Sequence, residues 1–370
     1  YYERALTQDA GNAALLEQAI LMDSTEGQFD RAIKLAKELA EQHPNHRMAQ
    51  LVLGLDDAKA GRWEQAGDHF KASAASPMGE LTSALAQAWT LVARKDFKGA
   101  IDILDGVKQA EWAQFYVRYH KALINDLAGN KQEAKASFEK IFRSEAKVLR
   151  VALAYAQSAS AAGDQRLASS IIDEHIKKGT GSPHPAAKDI AERLKGNERL
   201  PLLIETPIDG LAEVFYGLGE ALSTEGAAGV GVGAVYLQMS LFLKPDAPFA
   251  LASLANVYET MKRNEAAIAT YDRIPSSSPL RTVVEIRKAL NLNQLDKVDE
   301  AKAVLDGLAA EDPNDIRPLD ALGGLMRGHK RFQEAVDYYT RIINNLGPKP
   351  DKKSWGYFYA RGTSYERLKK

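Results

Sequence analysis

The sequence predicts an all-α fold, an elongated array of stacked helix pairs, and three regularities predict it. Alanine recurs at a fixed step of thirty-four residues at Ala32, Ala66, Ala100, Ala134 and Ala168, and again at Ala267, Ala301 and Ala335. Glycine keeps the same step at Gly27, Gly61, Gly129 and Gly163, with Lys95 in its place in the third unit. Pro245, Pro279 and Pro313 repeat it once more, and Pro44 stands at the equivalent site of the first unit. A period of this size means that each unit buries its apolar face only against its neighbours. That also accounts for the length, since a single hydrophobic core stops growing well before 370 residues.

Each unit reads as two short amphipathic helices, A and B, joined by a turn. In the second complete unit, helix A carries Leu51, Leu53, Gly54, Leu55 and Ala58, and the turn is Ala60-Gly61-Arg62-Trp63. Helix B then runs from Glu64 to about Ser76 with Ala66 and Phe70 inward, the three- and four-residue spacing of a helix. The turn glycine supplies a positive φ that ends helix A. A small residue recurs in helix A at Gly54, Ala88, Ala122, Ala156, Ala255, Ala289 and Gly323. With the helix B alanine, it marks where paired helices approach too closely for bulk. The prolines fix where B stops and the next A begins.

These residues resemble the tetratricopeptide repeat: Leu53-Gly54, Leu322-Gly323, Leu254-Ala255 with Tyr258, Ala66 with Phe70, Ala134 with Phe138, Ala267 with Tyr271, and Ala335 with Tyr339. The resemblance covers nearly the whole chain. It implies a right-handed α-solenoid of about nine complete helix-turn-helix units, with half-units at both ends, and a protein-binding scaffold rather than an enzyme.

The two alanine registers are out of step. Ala168 and Ala267 lie ninety-nine residues apart, three short of three periods, across a stretch rich in Gly and Pro. This predicts an N-terminal block over 1–182, an unpaired helix near Ala186 to Leu194 with an extended connector from about Gly196 to Ile208 inside 183–209, and a C-terminal block over 210–370 that opens with a helix at Leu211 to Leu222. Tyr1 to Leu6 resembles a helix B without its helix A, and Trp355 to Leu368 a helix A without its helix B. Both ends therefore look cut through a unit, as in a piece of a longer protein, and their uncovered faces invite self-association.

Composition and motifs exclude much chemistry. Forty-eight basic and forty-nine acidic side chains leave a charge of -1 with no basic stripe, against nucleic-acid binding. There is no cysteine, so disulfides, thiolate catalysis and cysteine-based zinc sites are absent. No run of apolar residues is long enough for a membrane span. Gly226 to Gly233 superficially resembles a phosphate loop, yet lacks the preceding strand and following Lys-Ser/Thr, and reads as an enlarged A-to-B turn. His43 and His46 share a turn without further ligands, the other histidines are scattered, and no Gly-x-Ser-x-Gly elbow occurs. The expectation is no catalytic residue, no metal and no cofactor.

One stretch stands above this background. In the resembled family the A helices line a concave surface, and here that face carries Leu51, Leu55, Leu85, Trp89, Tyr116, Tyr119 and Leu123. The family's clamp for a terminal carboxylate is missing, since Glu17, Leu21, Leu51 and Leu55 hold its sites. An apolar groove suits an amphipathic helix or an extended apolar segment of a protein partner. The alternatives are an architectural segment whose groove is filled by its own chain, and an accessory protein of envelope or polysaccharide assembly. The last follows from a resemblance to bacterial envelope tetratricopeptide proteins, which implies a periplasmic or envelope-associated location over a cytoplasmic one.

Overall fold

The computed structural model describes residues 9, 11–108, 111–179 and 182–369. The half-unit expected at Tyr1 to Leu6 lies outside them. The chain divides into two compact units, Tyr1–Ala250 and Leu251–Lys370. The described residues hold helices and turns, and no strand.

The first unit begins with five helix pairs: α1 (Ala13–Thr25) and α2 (Phe29–Gln42), α3 (Arg47–Lys59) and α4 (Trp63–Ala72), α5 (Ser76–Ala93) and α6 (Phe97–Asp105), α7 (Glu111–Leu127) and α8 (Lys131–Glu145), α9 (Leu149–Ala161) and α10 (Gln165–Lys178). Within each pair, and from each pair to the next, consecutive helices pack together. All five periodic alanines of this stretch are fully buried. At Gly54 an added Cβ would stand 2.6 Å from the Phe70 ring, so helices α3 and α4 cross where only glycine leaves room for the aromatic.

The turn site has the backbone that its spacing predicts. Gly27, Gly61, Gly129 and Gly163 have φ between +73° and +94°, and Lys95 holds φ +66° at the third. The cost of a side chain in the left-handed region is about 1 to 2 kcal/mol. Burial of the flanking helices is large enough to impose the turn on a lysine.

An unpaired helix follows, α11 (Pro185–Lys195), packed on α10 and α9. The connector after it has no regular structure but is fastened along its length. The Leu200 N–H donates to Ser160 Oγ at 2.9 Å, Gln165 donates to the Glu198 carbonyl at 3.1 Å, Arg199 donates to the Ala161 carbonyl, and Leu200 and Ile204 are buried.

Helices α12 (Pro207–Leu222) and α13 (Gly226–Leu243) complete the unit, and the sequence period gives no hint of where they go. Instead of simply extending the array, α12 packs on α5 and α7, and α13 on α1 and α3. The division of the chain consequently falls after Ala250 rather than in the 183–209 segment. The physical reason is composition: residues 226–243 contain no charged side chain, and a helix that is apolar all round must be covered all round. The Gly226 to Gly233 run is likewise the first turns of α13, not a widened turn. Added Cβ atoms would stand 2.3 Å from the Leu222 carbonyl at Gly229 and 2.8 Å from the Gly219 carbonyl at Gly233, so these glycines seat α13 against α12.

In the second unit α14 (Pro248–Thr260), which enters from the first, is followed by α15 (Asn264–Tyr271), α16 (Arg281–Gln294), α17 (Val298–Glu311), α18 (Ile316–Gly328), α19 (Phe332–Leu346), a short 3-10 turn (Lys352–Ser354) and α20 (Trp355–Arg367). Ala267, Ala301 and Ala335 are again fully buried. Lys262, Asp296 and Lys330 hold φ of 57°, 59° and 60°, thirty-four residues apart at the same turn. Trp355, Phe358, Tyr359 and Tyr365 of α20 are exposed.

Candidate functional site

Helices α12 and α13 pack on α1, α3, α5 and α7, the A helices from which an inner groove was expected. Leu51 and Leu55 of α3, Leu85 and Trp89 of α5, and Tyr119 and Leu123 of α7 are all buried; only Tyr116 stays half-exposed. Six of the seven residues expected to line an open groove are thus interior. Trp89 is 0% exposed, and Gly210 on α12 lies flat against it: a Cβ there would be 2.3 Å from the indole. Along α13, Tyr236 Oη lies 3.1 Å from Thr82 Oγ1, Gln238 donates to the Thr25 carbonyl at 3.2 Å, and the Phe242 ring stacks on Phe29 at 4.4 Å. Lys59 caps the Phe242 face at 3.9 Å.

Polar groups buried at this contact are satisfied in ways that fix their charge. Trp89 Nε1–H donates to His120 Nδ1 at 3.0 Å. Indole is only a donor, so the imidazole accepts through an unprotonated Nδ1. Burial lowers its pKa to about 4, with Glu213 opposing, and the ring is neutral near pH 7. Glu213 of α12, itself buried, accepts from Tyr119 Oη–H at 3.0 Å and from both ends of the Arg150 guanidinium, through Nε at 3.0 Å and through Nη2. Burial alone would weaken the Arg150 charge, but Glu213, Tyr119 and Tyr216 together outweigh burial and raise its pKa. Burial first, and then Glu213, push the Tyr119 phenol well up. The Arg150 guanidinium also lies over the rings of Tyr216 and Phe249, at 5.3 and 4.9 Å.

Beside this contact the inner face stays open. A cavity of about 870 Å³ lies among α5, α7, α9 and α12, with Trp112, Phe115, Tyr116, Tyr216 and Gly217 on its walls and the Arg150–Glu213 pair at its base. Trp112 is 45% exposed. Phe115 meets Tyr116 edge-on at 5.2 Å and stacks parallel to Tyr119 at 6.1 Å. Burial, followed by Glu220 and Glu225, raises the Tyr116 pKa. A mostly apolar, aromatic cavity of this size suits bulky apolar side chains, with the polar base left to orient them. Of the residues singled out from sequence, Tyr116 and Tyr119 belong to it. Trp112, Phe115 and Tyr216 did not stand out, because their role depends on where α12 folds. Their one visible signal is the aromatic density of residues 112–119.

Among the described residues no group of His, Cys, Asp and Glu could hold a metal ion, and no helix is long and apolar enough to cross a membrane. The tetratricopeptide repeat sequence profile matches residues 13–46, which span α1 and α2. Among solved structures the chain is similar to the crystal structure of the APC/C hetero-tetramer Cut9-Hcn1, at 15% identity, over 97% of this chain and 84% of that chain, with a TM-score of 0.33. No curated protein sequence matches it significantly. Residues 13–46 match the tetratricopeptide repeat profile, and the helix pairs after them, α12–α13 excepted, keep the same buried alanine and the same positive-φ turn.

Proposed function

We propose that this protein is a non-catalytic scaffold that binds a protein partner, and that the partner inserts an apolar segment into the aromatic cavity beside α12. The reading rests on one observation: beside the contact made by α12, an open cavity keeps Trp112, Phe115 and Tyr116 accessible. The two function readings drawn from sequence then combine. Most of the groove is architectural and filled by its own chain, and a remnant of it binds.

Peptides selected on the intact protein from a random displayed library test this. Trp112→Ala removes an exposed side chain, so thermal stability should hold within a degree or two, while the selected peptides lose tenfold or more in affinity, a loss on the order of 1.4 kcal/mol. Selected peptides that bind wild type and Trp112→Ala equally would place the partner surface elsewhere and end this reading.

A further inference from the structure

The charge around the cavity identifies its occupant more narrowly. Glu145, Glu220 and Glu225 all line it, while of its two basic lining residues Arg150 is paired with Glu213 and His120 is buried and accepts from Trp89. Tyr216 hydrogen-bonds Glu220 and brings it no counter-charge. Among the described residues no lysine, arginine or histidine forms an ion pair with Glu145, Glu220 or Glu225. Elsewhere on the surface a number of acidic residues do meet a cation, as Glu139 does with Arg143 and Glu174 with Lys178.

We infer that the segment taken up by this cavity is cationic as well as apolar: a peptide whose bulky apolar side chains enter between Trp112, Tyr116 and Tyr216 and whose lysines or arginines meet Glu145, Glu220 and Glu225 at the rim. This rests on the reading of the cavity as the partner site. The walls suit it doubly, because an aromatic face attracts a cation as well as an apolar group. A carboxylate rim also speeds the approach of a basic segment and turns an acidic one away. A neutral apolar segment would satisfy the walls and leave the three carboxylates without a counter-charge.

Three short peptides of identical Leu and Trp content, differing only in carrying Lys, Gln or Glu at the intervening positions, distinguish the possibilities on the full chain. The Lys peptide should bind roughly fivefold or more tighter than the Gln peptide and the Glu peptide weakest, with the Lys advantage shrinking as salt rises. In Glu220→Gln/Glu225→Gln, two exposed sites where folding is spared, the Lys and Gln peptides should come within about twofold of each other. Equal binding of all three peptides, weakened by Trp112→Ala, would overturn the cationic assignment and leave the cavity as an apolar site. Binding indifferent to Trp112→Ala, or no binding by any peptide, would overturn both.

Discussion

His120 shows how burial, rather than sequence context, sets a residue's chemistry. Among the seven histidines it carries no motif; in the fold it is buried and accepts the Trp89 N–H. An unfolded histidine titrates near 6.5, and the folded one at about 4. Between those values the unfolded chain binds the proton more readily, so its contribution to stability is complete above about pH 6.5 and declines as pH falls through 4. The full effect is on the order of 3 kcal/mol. Asp126 works in the opposite direction: burial raises its pKa to about 6, against a hydrogen bond from Ser158, so its burial cost is relieved as pH falls below 6. His120→Asn keeps an acceptor near the Nδ1 position and removes the titration. Relative to that variant, wild type should lose urea resistance steadily from pH 6.5 to 4. Parallel curves for the two proteins would mean that His120 is solvated.

At the scale of elements, α12 is held to α7 and α9 by chemistry as well as by area. Thr206 and Asp209 cap its first turn reciprocally, and Asp209 accepts from Lys244 just beyond the end of α13 at 2.6 Å. Further along, Glu213 joins Tyr119 of α7 to Arg150 at the start of α9. A buried ion pair adds little net stability, but removing one member leaves a bare charge inside. Glu213→Gln should therefore cost about 3 to 5 kcal/mol, and Arg150→Met added to it should restore much of the loss. Denaturant midpoints of the two variants check this. A Glu213→Gln midpoint equal to wild type would show that water reaches the pair and that α12 is not seated as described.

For the whole molecule, what was legible in the sequence was everything that repeats locally. Alanines at a thirty-four-residue step, all eight fully buried, gave the helix pairs, and the turn residues gave their joints, down to the lysine at position 95. The helix near Ala186 to Leu194 was legible too, from its apolar spacing. What a period cannot express is a contact between distant units, and the site depends on one. Trp89 and Gly210 meet across more than a hundred residues, so the apolar inner face was visible while its cover was not. The charge-free stretch 226–243 was the available clue, since no helix so apolar can sit on a solvated surface. The central claim is that α12 and α13 fill the inner face of the first unit, and the coupling between Gly210 and Trp89 tests it most directly. Gly210→Ala pushes a methyl into the indole and should cost about 1 to 3 kcal/mol; in a Trp89→Leu background, with the ring gone, the same change should cost at least about 1 kcal/mol less. Costs that simply add, within about 0.5 kcal/mol, would mean that the two residues do not touch and that the groove lies open.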